Sequence, residues 1–158
     1  MNPSLKLPVL GVLAAIGITT AMDATGLSFL SALPLLPLLC LFWYVQHLTR
    51  AEAGFTWGER RHYGLALLYP LAVLGAVTAA AALSGALNVA ETNWQKALLN
   101  WVLVTGTTIP VVILTEEGFF RGWLWASLTR AGHDNVRVLV WTSIAFSLWH
   151  LSSVTLPT

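Results

Sequence analysis

The sequence predicts an all-α, polytopic transmembrane helical bundle of about five spans with a cytoplasmic N-terminus, and three observations carry that prediction. Of its residues 56% are hydrophobic and 9% charged, with a mean hydropathy of +0.72, which leaves too little polar surface to coat a water-soluble globule. The apolar residues fall into five blocks, about 5–22, 26–48, 63–87, 97–128 and 136–156, separated by short charged or turn-rich joints. Most blocks reach the ~20 residues that a helix needs to cross the ~30 Å hydrocarbon layer. Finally, Lys6, Arg50, Arg60, Arg61, Arg130 and Arg137 fall on one side of these spans and Lys96 alone on the other, which orients the N-terminus toward the cytoplasm. No repeat, low-complexity tract or linker interrupts the chain, so 1–158 reads as a single transmembrane domain. The net charge of +1 carries no basic stripe and predicts no nucleic-acid partner.

Each block has its own reasons. The first resembles a secretory signal, with Lys6 ahead of an apolar run. Thr19, Thr20 and Ala21 make a poor cleavage site and more membrane follows, so a retained helix is expected. The second contains Pro34 and Pro37, expected as kinks, and Cys40, expected as a small buried hydrophobe. A single cysteine excludes an intramolecular disulfide. The joint at 49–64 should run partly along the membrane surface, anchored by Phe55, Trp57 and Tyr63, with His62 in solvent and His47 near a helix end. The third block is rich in small residues over 75–86, which permits close helix approach. The fourth is the longest and contains Pro110. Gly132, Asp134 and Asn135 predict a tight turn leading into the fifth block, where His150 is the one ionisable side chain after Arg137.

The chemistry concentrates at 111–128, VVILTEEGFFRGWLWASL, where Glu116, Glu117 and Arg121 interrupt a long apolar run. An ionised side chain at mid-bilayer costs at least ~2.5 kcal/mol even on lenient insertion scales, so these charges must be compensated. Glu117 and Arg121 stand four apart with the glutamate first, the favourable order for a pair on one helix face. Glu116 is then the surplus. Glu116 and His150 lie 17 residues on either side of His133, so at a rise of ~1.5 Å per residue they reach the same depth on adjacent antiparallel helices. A carboxylate and an imidazole meeting in a low-dielectric cavity can bind a divalent metal or activate a water, both routes to hydrolysis of an amide.

These residues also carry a resemblance. EEGFFR at 116–121 is similar to the EExxxR signature, and FSLWH at 146–150 to the FxxxH signature, of the CPBP family of intramembrane proteases. That group contains the CAAX prenyl endopeptidases and bacterial bacteriocin-processing and immunity proteins. The resemblance covers 111–151. It implies a membrane protease in which Glu116 is the catalytic glutamate that activates water, Glu117 and Arg121 the supporting pair, and His150 a metal ligand or polar stabiliser. Glu116, Glu117, Arg121 and His150 are thus the candidate catalytic set, and Glu116 and His150 the candidate holders of a divalent metal, with zinc the expected ion. The implied partners are the lipid bilayer and a membrane-proximal peptide or protein. A bacterial inner membrane is the expected location, since no organelle-targeting feature is present.

The family carries a further motif, a histidine followed four residues later by Asn or Asp on a later helix. His47 and His62 are followed at that distance by Ala51 and Ala66, and the sequence reaches Thr158 without the motif. The expectation is therefore the front part of such a protease, with catalysis complete only if other groups join. A non-catalytic immunity or scaffold protein that keeps the two motifs as a structural network is the alternative. A transporter or proton relay is a third reading, against which the absence of an internal repeat and of a second intramembrane charge cluster counts.

Overall fold

The computed structural model describes residues 3–87 and 89–152, and every regular element among them is a helix. In order these are α1 (Pro3–Ala24), a 3₁₀ turn (Ser28–Leu30), α2 (Leu35–Gln46), α3 (Arg60–Leu83), a 3₁₀ turn (Val89–Glu91) and α4 (Trp94–Leu103). A π-helical turn (Val104–Thr108), α5 (Ile109–Val112), a π-helical segment (Ile113–Leu124), α6 (Trp125–Arg130) and α7 (Asn135–Trp149) follow. Four helical runs are long and apolar enough to cross a membrane: Leu5–Ala24, Ser28–Gln46, Arg60–Leu83 and Trp94–Arg130. Within the fifth block α7 runs to Trp149, and Leu151 and Ser152 are helical after the turn at His150; positions 153–156 lie outside the described residues.

The chain forms two compact units, one of residues up to Phe55 and from Thr107 onward, the other Thr56–Gly106. The second unit holds α3 and α4. None of their residues is buried, and Leu65, Leu68, Leu74, Leu98 and Trp101 are exposed. Long apolar helices of this kind find their partner in lipid, with every backbone group satisfied inside the helix. Trp57 is exposed and lies 6.3 Å from the Tyr63 ring, and His62 is exposed.

In the first unit, α2 packs against the π segment, and α1 and α7 complete a core of Leu35, Leu39, Phe119, Phe120, Trp123, Val138 and Trp149. Small residues make this packing possible. A Cβ at Gly118 would come within 2.8 Å of Leu39 Cδ2, one at Gly122 within 2.9 Å of the Ala53 carbonyl oxygen, and one at Gly11 would run into the Trp123 ring. Trp123 stacks on Phe42 at 4.5 Å and donates its indole N–H to Gln46 Oε1 at 2.9 Å, an acceptor shared with Ser127 Oγ at 2.6 Å.

α2 ends at His47, the residue in the left-handed conformation (φ 49) that caps it. Arg130 crosses from α6 to donate to the Gln46 carbonyl at 2.7 Å and the His47 carbonyl at 3.4 Å while bonding both oxygens of Glu52. The expected turn before α7 is present. Gly132 (φ 87) follows α6, the His133 N–H reaches the Leu128 carbonyl, and Asp134 caps α7 by accepting from the N–H groups of Val136 and Arg137.

Three expectations change, and the fourth block takes a form the sequence did not indicate. The second block is broken: Pro34 donates no N–H and opens α2 as its N-cap rather than kinking a longer helix. Cys40 is exposed, because the core-facing stripe of α2 is taken by Leu35 and Leu39. Phe55 turns inward, 5.2 Å from the Trp43 ring and against Gly118 and Gly122, where the glycines leave room for it. The fourth block is not a uniform α-helix. Its π segment carries the charged motif, with Pro110 just before it and two glycines within it weakening the α ladder.

Candidate active site

Glu116 lies in the π segment, a geometry that is uncommon in proteins and frequent at functional sites. Its side chain is 16% exposed and faces a cavity of about 490 Å³ lined also by Thr19, Ser28, Ser31, Thr108, Trp149 and His150. His150 is the C-cap residue of α7, in a turn ahead of helical Leu151 and Ser152. Its Nε2 stands 3.9 Å from Glu116 Oε2, so the equal depth read from the sequence is realised as adjacency.

The other ring nitrogen orients the imidazole. His150 Nδ1 lies 3.0 Å from the Phe146 carbonyl oxygen, which accepts and never donates. Nδ1 therefore carries the proton, and in the neutral ring Nε2 turns its lone pair toward Glu116. At 3.9 Å the two groups are too far apart for a direct hydrogen bond. The gap fits one water hydrogen-bonded to both at ~2.8 Å.

Glu117 and Arg121 form their own pair, Oε2 to Nε 3.7 Å, with both side chains about two-fifths exposed. The Arg121 guanidinium lies over the Phe146 ring at 5.1 Å, and that ring lies 4.4 Å from the His150 ring. Phe146 thus joins the two motifs physically. Behind it Phe120 packs edge-on against Phe146 at 5.3 Å and beside Trp149 at 5.7 Å, and Phe119, Phe120 and Trp123 are fully buried. One side of the Glu116–His150 pair is therefore a dry aromatic wall and the other the cavity. Trp123 and Trp149 belong to that core, whereas Trp141 is exposed.

Among the described residues no three His, Cys, Asp or Glu side chains cluster as a metal site would require. Glu116 and His150 are two donors, fewer than the three or four protein ligands of a zinc centre, and 3.9 Å is wider than the ~3.4 Å that tetrahedral bonds of ~2.0–2.1 Å would set between them. Among the described residues these two donors do not by themselves make a zinc centre, and the proposed chemistry passes through no metal.

Sequence reasoning missed two groups. Phe146 was read as part of a signature with no role, since one more aromatic in an apolar helix gives no spacing signal. Asp23 stands just past the end of the first block, and sequence reasoning gave it no role. It is in fact 2% exposed on α1 and accepts from Ser152 Oγ at 2.7 Å. The signal was an acidic residue closing an apolar run.

Residues 96–158 match the family model described as type II CAAX prenyl endopeptidase Rce1-like, and Glu116, Glu117, Arg121, Phe146 and His150 all lie within the match. No curated protein and no solved structure matches the chain significantly.

Proposed function

We propose, from the premise that the motif-bearing segment 96–158 belongs to the Rce1-like family of type II CAAX prenyl endopeptidases, that this integral membrane protein hydrolyses a peptide bond with a water activated by Glu116. The observation that supports this most is the Glu116–His150 gap of 3.9 Å, opening on a cavity and backed by buried aromatics. Glu116 Oε2 accepts a hydrogen bond from one proton of the water and His150 Nε2 accepts one from the other. The water's lone pair is thereby aimed at a carbonyl carbon entering from the cavity. As the C–O bond forms, the proton moves to Glu116; as the C–N bond breaks, Glu116 returns it to the departing amine. His150 orients the water, and Phe146 and Arg121 hold the ring in place.

The substrate is a peptide presented at the membrane, of the prenylated CAAX class in the family's name, and a bacterial cell membrane is the proposed location. That only two such donors meet among the described residues supports one second reading, a non-catalytic member of the family that keeps the motifs as a structural network. Glu116→Gln separates the two. In proteoliposomes with a prenylated CAAX reporter peptide, we expect the substitution to lower hydrolysis by ~10²–10⁴-fold while the thermal unfolding midpoint stays close to that of the unaltered protein. Cleavage at the unaltered rate in the E116Q protein would end the assignment, and no cleavage by the unaltered protein would favour the structural reading.

A further inference from the structure

α7 ends at Trp149, His150 lies in a turn, and Leu151 and Ser152 are helical again. Hydrogen bonds to α1 hold the residues on either side of this turn. Trp149 Nε1 donates to Thr19 Oγ1 at 2.7 Å, and Ser152 Oγ donates to Asp23 Oδ2 at 2.7 Å, across sequence separations of 130 and 129 residues. Thr19 and Asp23 are four apart and share one face of α1.

All four residues are more than nine-tenths buried. The Thr19 hydroxyl is fully committed, since it accepts from Trp149 and donates to the Ser31 carbonyl at 3.2 Å. Asp23 Oδ1, by contrast, has no partner among the described residues. An unpaired buried acceptor is destabilising, and an apolar side chain at 23 would avoid it. What the carboxyl supplies is an acceptor for Ser152.

We propose that Thr19 and Asp23 are positioning residues for His150, gripping the turn that carries the imidazole on both sides so that Nε2 stays against Glu116. The inference rests on the reading above only in taking Glu116 and His150 as the working centre. Neither residue takes part in proton transfer. They act through Trp149 and Ser152.

The test uses the full chain, with ¹⁵N-labelled histidine, in bicelles at one fixed pH, and His150 assigned by H150Q. The readout is the change that E116Q causes in the His150 ¹⁵Nε2 resonance. That change should appear in the unaltered protein and in D23N, whose amide oxygen still accepts from Ser152. It should fall by more than half in D23A, S152A and T19V. The D23A/S152A double variant should lose no more than either single one, because both remove the same bond. An undiminished response in folded D23A and S152A leaves Asp23 with stability alone and overturns the proposal. A loss in D23N as large as in D23A overturns it too, by making charge rather than geometry the operative property. No response in the unaltered protein would mean that there is no held pair to position. If D23A does not fold, S152A, which removes one hydroxyl, decides. No readout here depends on cleavage, so an inactive protein with an intact response would sink the hydrolase reading and leave this one standing.

Discussion

Glu116 and Glu117 are neighbours in the chain with different partners: one carboxylate faces the imidazole across a cavity, the other pairs with Arg121. That division was legible, because the i, i+4 spacing assigns Glu117 to Arg121 and leaves Glu116 to find a partner elsewhere. Phe146 was not legible as the link, since ring-on-ring contact depends on where two helices cross. It supplies both the face under Arg121 and the wall beside His150. We expect Phe146→Leu to cost about 0.5–1 kcal/mol of stability through the lost cation–π contact. Hydrolysis in proteoliposomes should fall more than that figure accounts for, since the imidazole also loses its wall. Equal proportional losses in melting and rate would count against an orienting role. Arg121→Ala removes the same contact and also strands Glu117, so it should lower both the folded yield in membranes and the activity further than the leucine does.

At the scale of elements, the π segment and α2 meet through glycine. A methyl at Gly122 would lie 2.9 Å from a backbone carbonyl oxygen, which cannot swing aside as a side-chain end can. Gly122→Ala should therefore destabilise by roughly 1–3 kcal/mol, the usual range for overpacking, measured as a lowered unfolding midpoint in detergent. Gly75→Ala on α3, where nothing lies within 4 Å, is the matched control and should be neutral or slightly stabilising. An equal loss from both would mean that helix propensity rather than packing governs Gly122. The sequence shows two glycines four apart in an apolar run, a pattern suited to close approach. It does not show that Ala53 and Phe55, beyond the end of α2, are what approaches. That depends on the chain doubling back after His47.

For the whole molecule, the end of the first unit that carries Glu52, Arg130 and Asp134 is held by charge. Glu52 is pulled from 4.5 down to about 2 by the Thr49 hydroxyl first, then the Thr49 N–H and Arg130. Asp134 is lowered chiefly by the Arg137 N–H that it caps. A carboxyl with a depressed folded pKa binds its proton more tightly when unfolded, so stability rises with pH across that interval. The Glu52 contribution is complete above about 4.5 and is lost as pH falls through about 2. Melting midpoints in detergent should hold steady from neutral pH to about 5 and then fall, and E52Q should flatten the fall; an identical acid limb in E52Q would remove Glu52 from the account. The sequence by itself determined the all-helical membrane character, the position of the turn at Gly132 and the depth match of Glu116 and His150. Each follows from local composition or from counting residues along helices of known rise. The structure alone showed the π geometry of the motif, which no spacing in the sequence signals, and tertiary packing alone decided the aromatic wall at Phe146 and the grip of α1 on the His150 turn. The last two depend on which helix faces meet, and hydrogen bonds such as Trp149 to Thr19, 130 residues apart, leave no periodicity in the chain.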